Sequence, residues 1–171
     1  RYRDSVIELL PELIFNNLGT QTSTLSPDPS VGNHSYDIVN IVDSKGCIGT
    51  INTTEDILVR ELPDLDITII SPNPPEICIG DIADLAFPVL SGVSPFNLSI
   101  LEGSTNNTLN VDATGLIGGN PYQVSPSTTT IYTLTSVTDA NGCMQSLSDS
   151  KTLTVNEIPV VDVSGTTEIC E

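Results

Sequence analysis

Four cysteines carry the strongest chemical potential in this chain, and they occupy two recurring stations. Cys78 and Cys170 close Glu-Ile-Cys, while Cys47 and Cys143 directly follow Asp-x-x-Gly. Zinc is disfavoured, because no cysteine has a second Cys or His at the short spacing from which a tetrahedral site is built. A nucleophilic thiol needs an adjacent base. The sole histidine, His34, stands in a Ser/Asn/Gly-rich stretch that reads as a turn, and Thr130 takes its place in the second copy of the pattern. Disulfides remain, and recurring disulfides imply an oxidising compartment such as the periplasm, the cell surface or the medium.

Carboxylates are the other abundant chemistry. The chain has 22 acidic residues against 5 basic ones, a formal net charge of -17. Such a field repels nucleic acid and anionic lipid, so neither is an expected partner, and it attracts divalent cations. Calcium takes hard oxygen ligands, for which the candidates are Asp139 and Asn141, or Asp64, Asp66 and Asp81 near a domain joint. None of these completes an Asp-x-Asp-x-Asp-Gly loop, so Asp139 reads better as a turn residue. No cofactor is expected, with calcium the one ion the composition leaves open. Two acids that hydrolyse a glycoside must face each other across a cleft, and a small β unit offers little cleft. No catalytic residue is assigned, and the chain is expected to be non-catalytic.

What positions these residues is a repeat. Sliding the chain by 96 positions sets Tyr36 on Tyr132, Asp43 on Asp139, Gly46 on Gly142 and Cys47 on Cys143. The same register carries Val59 onto Val155, Pro63 onto Pro159 and Asp66 onto Asp162. A shift of 92 brings Glu76-Ile-Cys78 onto Glu168-Ile-Cys170. Solenoid repeats run about 20 to 50 residues, whereas a period near 95 is about the size of one independently folding sandwich. The expected organisation is the latter part of a unit over 1–63, a complete unit over 64–157 and the start of a third over 158–171. A chain divided in this way reads as a fragment of a longer polypeptide, or as a subunit whose fold a partner completes.

Within the complete unit, Cys78 and Cys143 are the two cysteines, and they are expected to form its structural disulfide. A closed loop of about 65 residues would stabilise by about 4 kcal/mol on the chain-entropy model. Cys47 and Cys170 would then be unpaired within the chain. An alternative pairing, Cys47 with Cys78, would staple across the Pro63 linker.

Strand patterns fill the unit. Leu85, Phe87 and Val89 alternate with polar or small residues, as do Phe96, Leu98 and Ile100, and this period of two marks half-buried strands. Leu109 with Val111, and Tyr122 with Val124, predict two short strands around a loop over 114–121. The last two strands are legible in both copies. Apolar positions at Tyr36/Tyr132, Ile38/Leu134 and Ile41/Val137 are spaced by two and then three. That change of face predicts a β-bulge between the second and third positions. Asp43 to Gly46 and Asp139 to Gly142 predict hairpin turns, with glycine in the left-handed position. Ser5 to Leu9 predict a strand in the incomplete unit, since Pro11 argues against a helix there. The fold class is therefore all-β, with β-sandwich repeats of about 95 residues in tandem.

Glu76-Ile-Cys-Ile-Gly80, Ser94-Pro-Phe-Asn-Leu-Ser-Ile100, the run from Ser127 to Cys143 and the run from Thr152 to Pro159 resemble the tandem Ig-like or PKD-like repeats of large Bacteroidetes cell-surface proteins, gliding-motility adhesins among them. The resemblance implies the immunoglobulin-like form of the tandem sandwiches, export by the type IX pathway, surface display and a filament-like stalk.

The leading expectation is a non-catalytic segment of a long extracellular adhesin or stalk, displayed on the cell surface, whose partners are neighbouring repeats of the same chain and an envelope or surface ligand. No apolar run approaches the ~18 residues that span a bilayer, so no membrane insertion is expected in this segment. One alternative is a pilus-like fibre subunit completed by strand exchange. Another is a binding module of a secreted enzyme, for which three Phe, four Tyr and no Trp form a thin aromatic supply.

Overall fold

Hairpins organise the chain, and the same hairpin occurs twice. The structure, a computed structural model, describes residues 30–42 and 45–165. Strand β1 (Gly32–Val42) pairs antiparallel with β2 (Ile48–Val59). Farther along, β11 (Thr130–Thr138) pairs antiparallel with β12 (Met144–Ser146) and β13 (Ser150–Asn156), which lie in succession along it. The pairs Val42–Ile48, Asn40–Thr50, Asp37–Thr54 and His34–Ile57 of the first hairpin correspond, at a shift of 96, to Thr138–Met144, Ser136–Ser146, Thr133–Ser150 and Thr130–Leu153 of the second. The register shifts by one residue between Ile38 and Asn40 in the first hairpin and between Thr133 and Ser136 in the second, and β11 shifts against β8 at the same place, between Leu134 and Ser136. This is where the changed apolar spacing placed the bulge, an extra residue that re-aims the strand. Gly46 and Gly142 take φ of 83° and 81° in the turns, a left-handed conformation that glycine adopts without steric cost.

The chain divides into two compact units, Arg1–Glu61 and Leu62–Glu171. In the first, His34 lies within β1 instead of a turn, buried, with Nε2 2.6 Å from the Ser30 carbonyl. The strand expected at Ser5 to Leu9 falls outside the described residues.

The second unit opens with β3 (Asp64–Leu65) and β4 (Thr68–Ser71), followed by β5 (Glu76–Cys78), β6 (Ala83–Ala86) and β7 (Val89–Ser91). Then come β8 (Phe96–Glu102), β9 (Thr105–Val111) and β10 (Tyr122–Val124). One sheet has the order β5-β13-β11-β8-β9, with β12 also on β11; a second has the order β10-β6-β4, and β3 pairs with β7. No helix occurs among the described residues, and none is long and apolar enough to cross a membrane.

Both sheets feed one core. From β3, the residue after Asp66, β6 and β10 come Leu65, Ile67, Leu85 and Val124; from β8 and β11 come Phe96, Leu98, Ile100, Tyr132, Leu134 and Val137. Burying each such side chain stabilises the fold by about 1.5–3 kcal/mol. Phe87 lies between β6 and β7, where Pro88 interrupts the strand, and its ring stands 6.4 Å from that of Tyr122. The Tyr122 hydroxyl on β10 donates to Glu102 at the end of β8, tying one sheet to the other. Burial, joined by that bond and the Glu102 charge, raises the Tyr122 pKa, so the phenol keeps the proton it donates.

Candidate functional site

Of the residues singled out for chemistry, those described in the second unit lie toward its two ends. At the end where the chain enters, the Leu62 carbonyl accepts from the Ser91 hydroxyl at 2.7 Å and Asp64 pairs with Ser91. Two residues on, the Val93 amide donates to Asp139 at 3.3 Å, and the Val93 carbonyl accepts from Ala140 N–H at 2.9 Å. The turn that carries Cys143 is thus fastened beside the entering chain. At the opposite end the chain leaves through Asn156, which pairs with Cys78 and accepts from the Ile79 amide at 3.1 Å.

Asp139 is 6% exposed. Its Oδ1 accepts from the amides of Asn141 and Cys143, each at 2.9 Å, and its Oδ2 accepts from Val93 N–H and Asn141 Nδ2. Burial is the largest single influence on its pKa and pushes it up; the donors from Cys143, Val93 and Asn141 together outweigh it, and the carboxyl lies below its ordinary value. A carboxylate ringed by N–H groups has its lone pairs committed and faces the positive ends of their dipoles. That arrangement suits a turn, not a calcium site. Asp66 accepts from the Ile67 amide and Asp81 from the Cys78 amide. They are also far apart: Asp66 sits by Pro88 while Asp81 precedes Ala83, about 17 Å away along the extended run from Ala83 to Pro88. Among the described residues, no group of three or more His, Cys, Asp or Glu is placed to hold a metal ion.

The expected Cys78–Cys143 disulfide is not formed in this structure, where both are thiols. Topology gives the reason. Cys78 pairs with Asn156, beyond the Leu153–Thr130 pair, whereas Cys143 precedes Met144, which pairs with Thr138 at the far end of β11. The run from Met144 to Asn156 between those stations spans on the order of 30 Å at ~3.3 Å per residue, and a disulfide needs α-carbons within about 7 Å. Cys78 is exposed and Cys143 half-buried. Cys170 and Asp43 lie outside the described residues.

One organising residue escaped the sequence reading. Asp112 Oδ1 accepts from Thr114 N–H at 2.8 Å, the Thr114 hydroxyl and Leu116 N–H, while Oδ2 accepts from Gly119 N–H at 2.9 Å. The Thr114 hydroxyl and amide are the foremost causes that hold its carboxyl at about 2. The loop so wound presents the Gly115 carbonyl to the Phe87 amide at 2.9 Å, filling the gap that Pro88 leaves between β6 and β7. Asp112-x-Thr114-Gly115 is the signal that could have revealed it, since Asp commonly accepts from the amide two residues on.

Comparison with protein-family models, with curated proteins and with solved structures gives no match to this chain.

Proposed function

We propose that the chain is a non-catalytic segment of a long extracellular adhesin or stalk, in which immunoglobulin-like β-sandwiches follow one another in series. The observation that carries this reading is the recurrence of one hairpin, pair for pair and bulge for bulge, at a shift of 96 residues. A second supports it: the complete unit takes in its chain at one end and releases it at the other, the geometry that lets units succeed one another in a line. The two-sheet order and shared core suit a sandwich whose first edge strand crosses from β6 to β13 through β4 and β5. The third unit would begin at Ile158, because Val161 and Val163 occupy the repeat positions of Leu65 and Ile67. Those two are fully buried, whereas Val161 and Val163 are 82% and 88% exposed.

Antibodies against residues 62–157 test the assignment. Labelling of intact, unpermeabilised cells of the source organism, lost on brief external proteolysis, is the expected result. Label confined to permeabilised cells would overturn it.

The exposed strand-like run at Val161 and Val163 also favours a second reading, a fibre subunit that lends this segment to another copy. Light scattering separates the two: the serial reading expects a concentration-independent monomer, and strand lending expects assemblies that grow with concentration.

A further inference from the structure

An early strand of the complete unit lies against its last one. Strand β5 runs parallel to β13 in the register Glu76–Thr154, Ile77–Val155 and Cys78–Asn156. Thr154 N–H to the Pro75 carbonyl, at 3.0 Å, and Ile79 N–H to the Asn156 carbonyl, at 3.1 Å, bound the patch. Ile77, 5% exposed, and Leu153, fully buried, root the two strands in the core.

The direction of load on this patch follows from where the chain enters and leaves. Tension at Pro63 draws β3, β4 and β5 toward the end that holds the Asp139 turn. Tension at Glu157 draws β13 toward the opposite end. Because β5 and β13 are parallel, the two pulls slide them lengthwise past each other. The evenly spaced bonds of a parallel pair then carry load together and must fail together. A hairpin pulled from its open end loses its bonds one at a time.

We propose that the β5–β13 patch is a shear clamp, the element that sets how long the unit survives under tension. The inference rests on the serial reading only for the presence of a load; the geometry of resistance is independent of it.

The test is single-molecule force spectroscopy on the full chain in reductant, with handles at its termini. Opening of the complete unit is recognised by the release of about 95 residues, roughly 300 Å of contour. Thr154→Pro removes the amide that bonds to Pro75, and Ile77→Ala loosens the root of β5. Leu109→Ala, on β9 and off the load path, is the control for lost thermal stability. Loss of one backbone bond from the clamp should shorten the lifetime at fixed force about tenfold. Ile77→Ala should shorten it as well, while Leu109→Ala lowers the melting temperature and leaves the lifetime near the parent's. If Leu109→Ala shortens the lifetime as much as Ile77→Ala at matched thermal loss, the clamp is refuted, and this comparison decides even if Thr154→Pro does not fold. A folded Thr154→Pro protein with the parent's lifetime refutes it too. Failure of surface labelling would remove the adhesin reading and leave this result standing.

Discussion

Asp139 accepts a hydrogen bond from the backbone of Val93, a residue 46 positions earlier, and thereby joins the last hairpin turn of the unit to the loop ahead of β8. The same carboxylate closes its own turn through Asn141 and Cys143. One side chain thus fixes both a local turn and a long-range contact.

Acid should expose this dependence. Asp139 and Asp112 both have pKa values below the ordinary 3.8, Asp112 at about 2. A carboxyl whose folded pKa is depressed contributes stability that is complete above its unfolded pKa and is lost as pH falls through the folded one. Asp139→Asn and Asp112→Asn should each lower the melting temperature by several degrees at pH 7. The gap between parent and variant should narrow between about pH 4 and pH 2. Differential scanning calorimetry of parent and variants across that range checks this, and a gap that persists at pH 2 would contradict it.

Gly115 is held by two constraints that can be separated. It has φ of 80°, and a β-carbon there would stand 2.3 Å from the Phe87 carbonyl oxygen; Gly118, at φ of 59°, has nothing within 4 Å. Gly118→Ala should cost about 1–2 kcal/mol from the left-handed backbone alone. Gly115→Ala should cost a further 1–3 kcal/mol or so, because the backbone it strikes must move. Urea denaturation of the pair measures the difference, and equal losses would mean that the contact is relieved cheaply.

Repeat-equivalent residues should respond unequally to the same change. Leu65→Ala is expected to destabilise the unit by about 2–5 kcal/mol. Val161→Ala, at the matching position in the exposed segment, should stay within about 0.5 kcal/mol of the parent. A large loss at Val161 in equilibrium unfolding would show that this segment is packed in solution.

Thiol chemistry distinguishes the observed topology from the disulfide expected on repeat logic. Under mild oxidation, peptide mapping should find no link between Cys78 and Cys143. A thiol reagent should modify exposed Cys78 faster than half-buried Cys143. The contour released by the complete unit should be the same with and without reductant.

Much of the unit was legible because its hydrophobic alternation is regular. Phe96, Leu98 and Ile100 are buried with Asn97 exposed and Ser99 between, and Tyr122 to Val124 is a strand, as the period of two required. The bulge was legible because both copies carry the same apolar spacing of two and then three. The opening strands are less legible: Leu65, Ile67 and Ile69 alternate, but Asp64 and Asp66 beside them also read as metal ligands. Asp64 and Asp66 are simply the outward partners of buried neighbours. The cysteine pairing failed for a different reason. Shared membership of a repeat says nothing about which end of a strand a residue occupies, and that depends on β5 joining β13, a contact between segments 78 residues apart in sequence.

The recurring register also bears on how such hairpins can vary. A slip of one residue turns every side chain of a strand to the opposite face, so a deletion within β1, β2 or β11 to β13 would invert a whole surface, whereas a deletion in a connection moves nothing. The four-residue discrepancy between the two shifts lies outside these paired segments. The hairpins therefore behave as interchangeable parts cut to one gauge: residues may drift while lengths stay locked, and a graft of one hairpin in place of the other would enter in frame, bulge included.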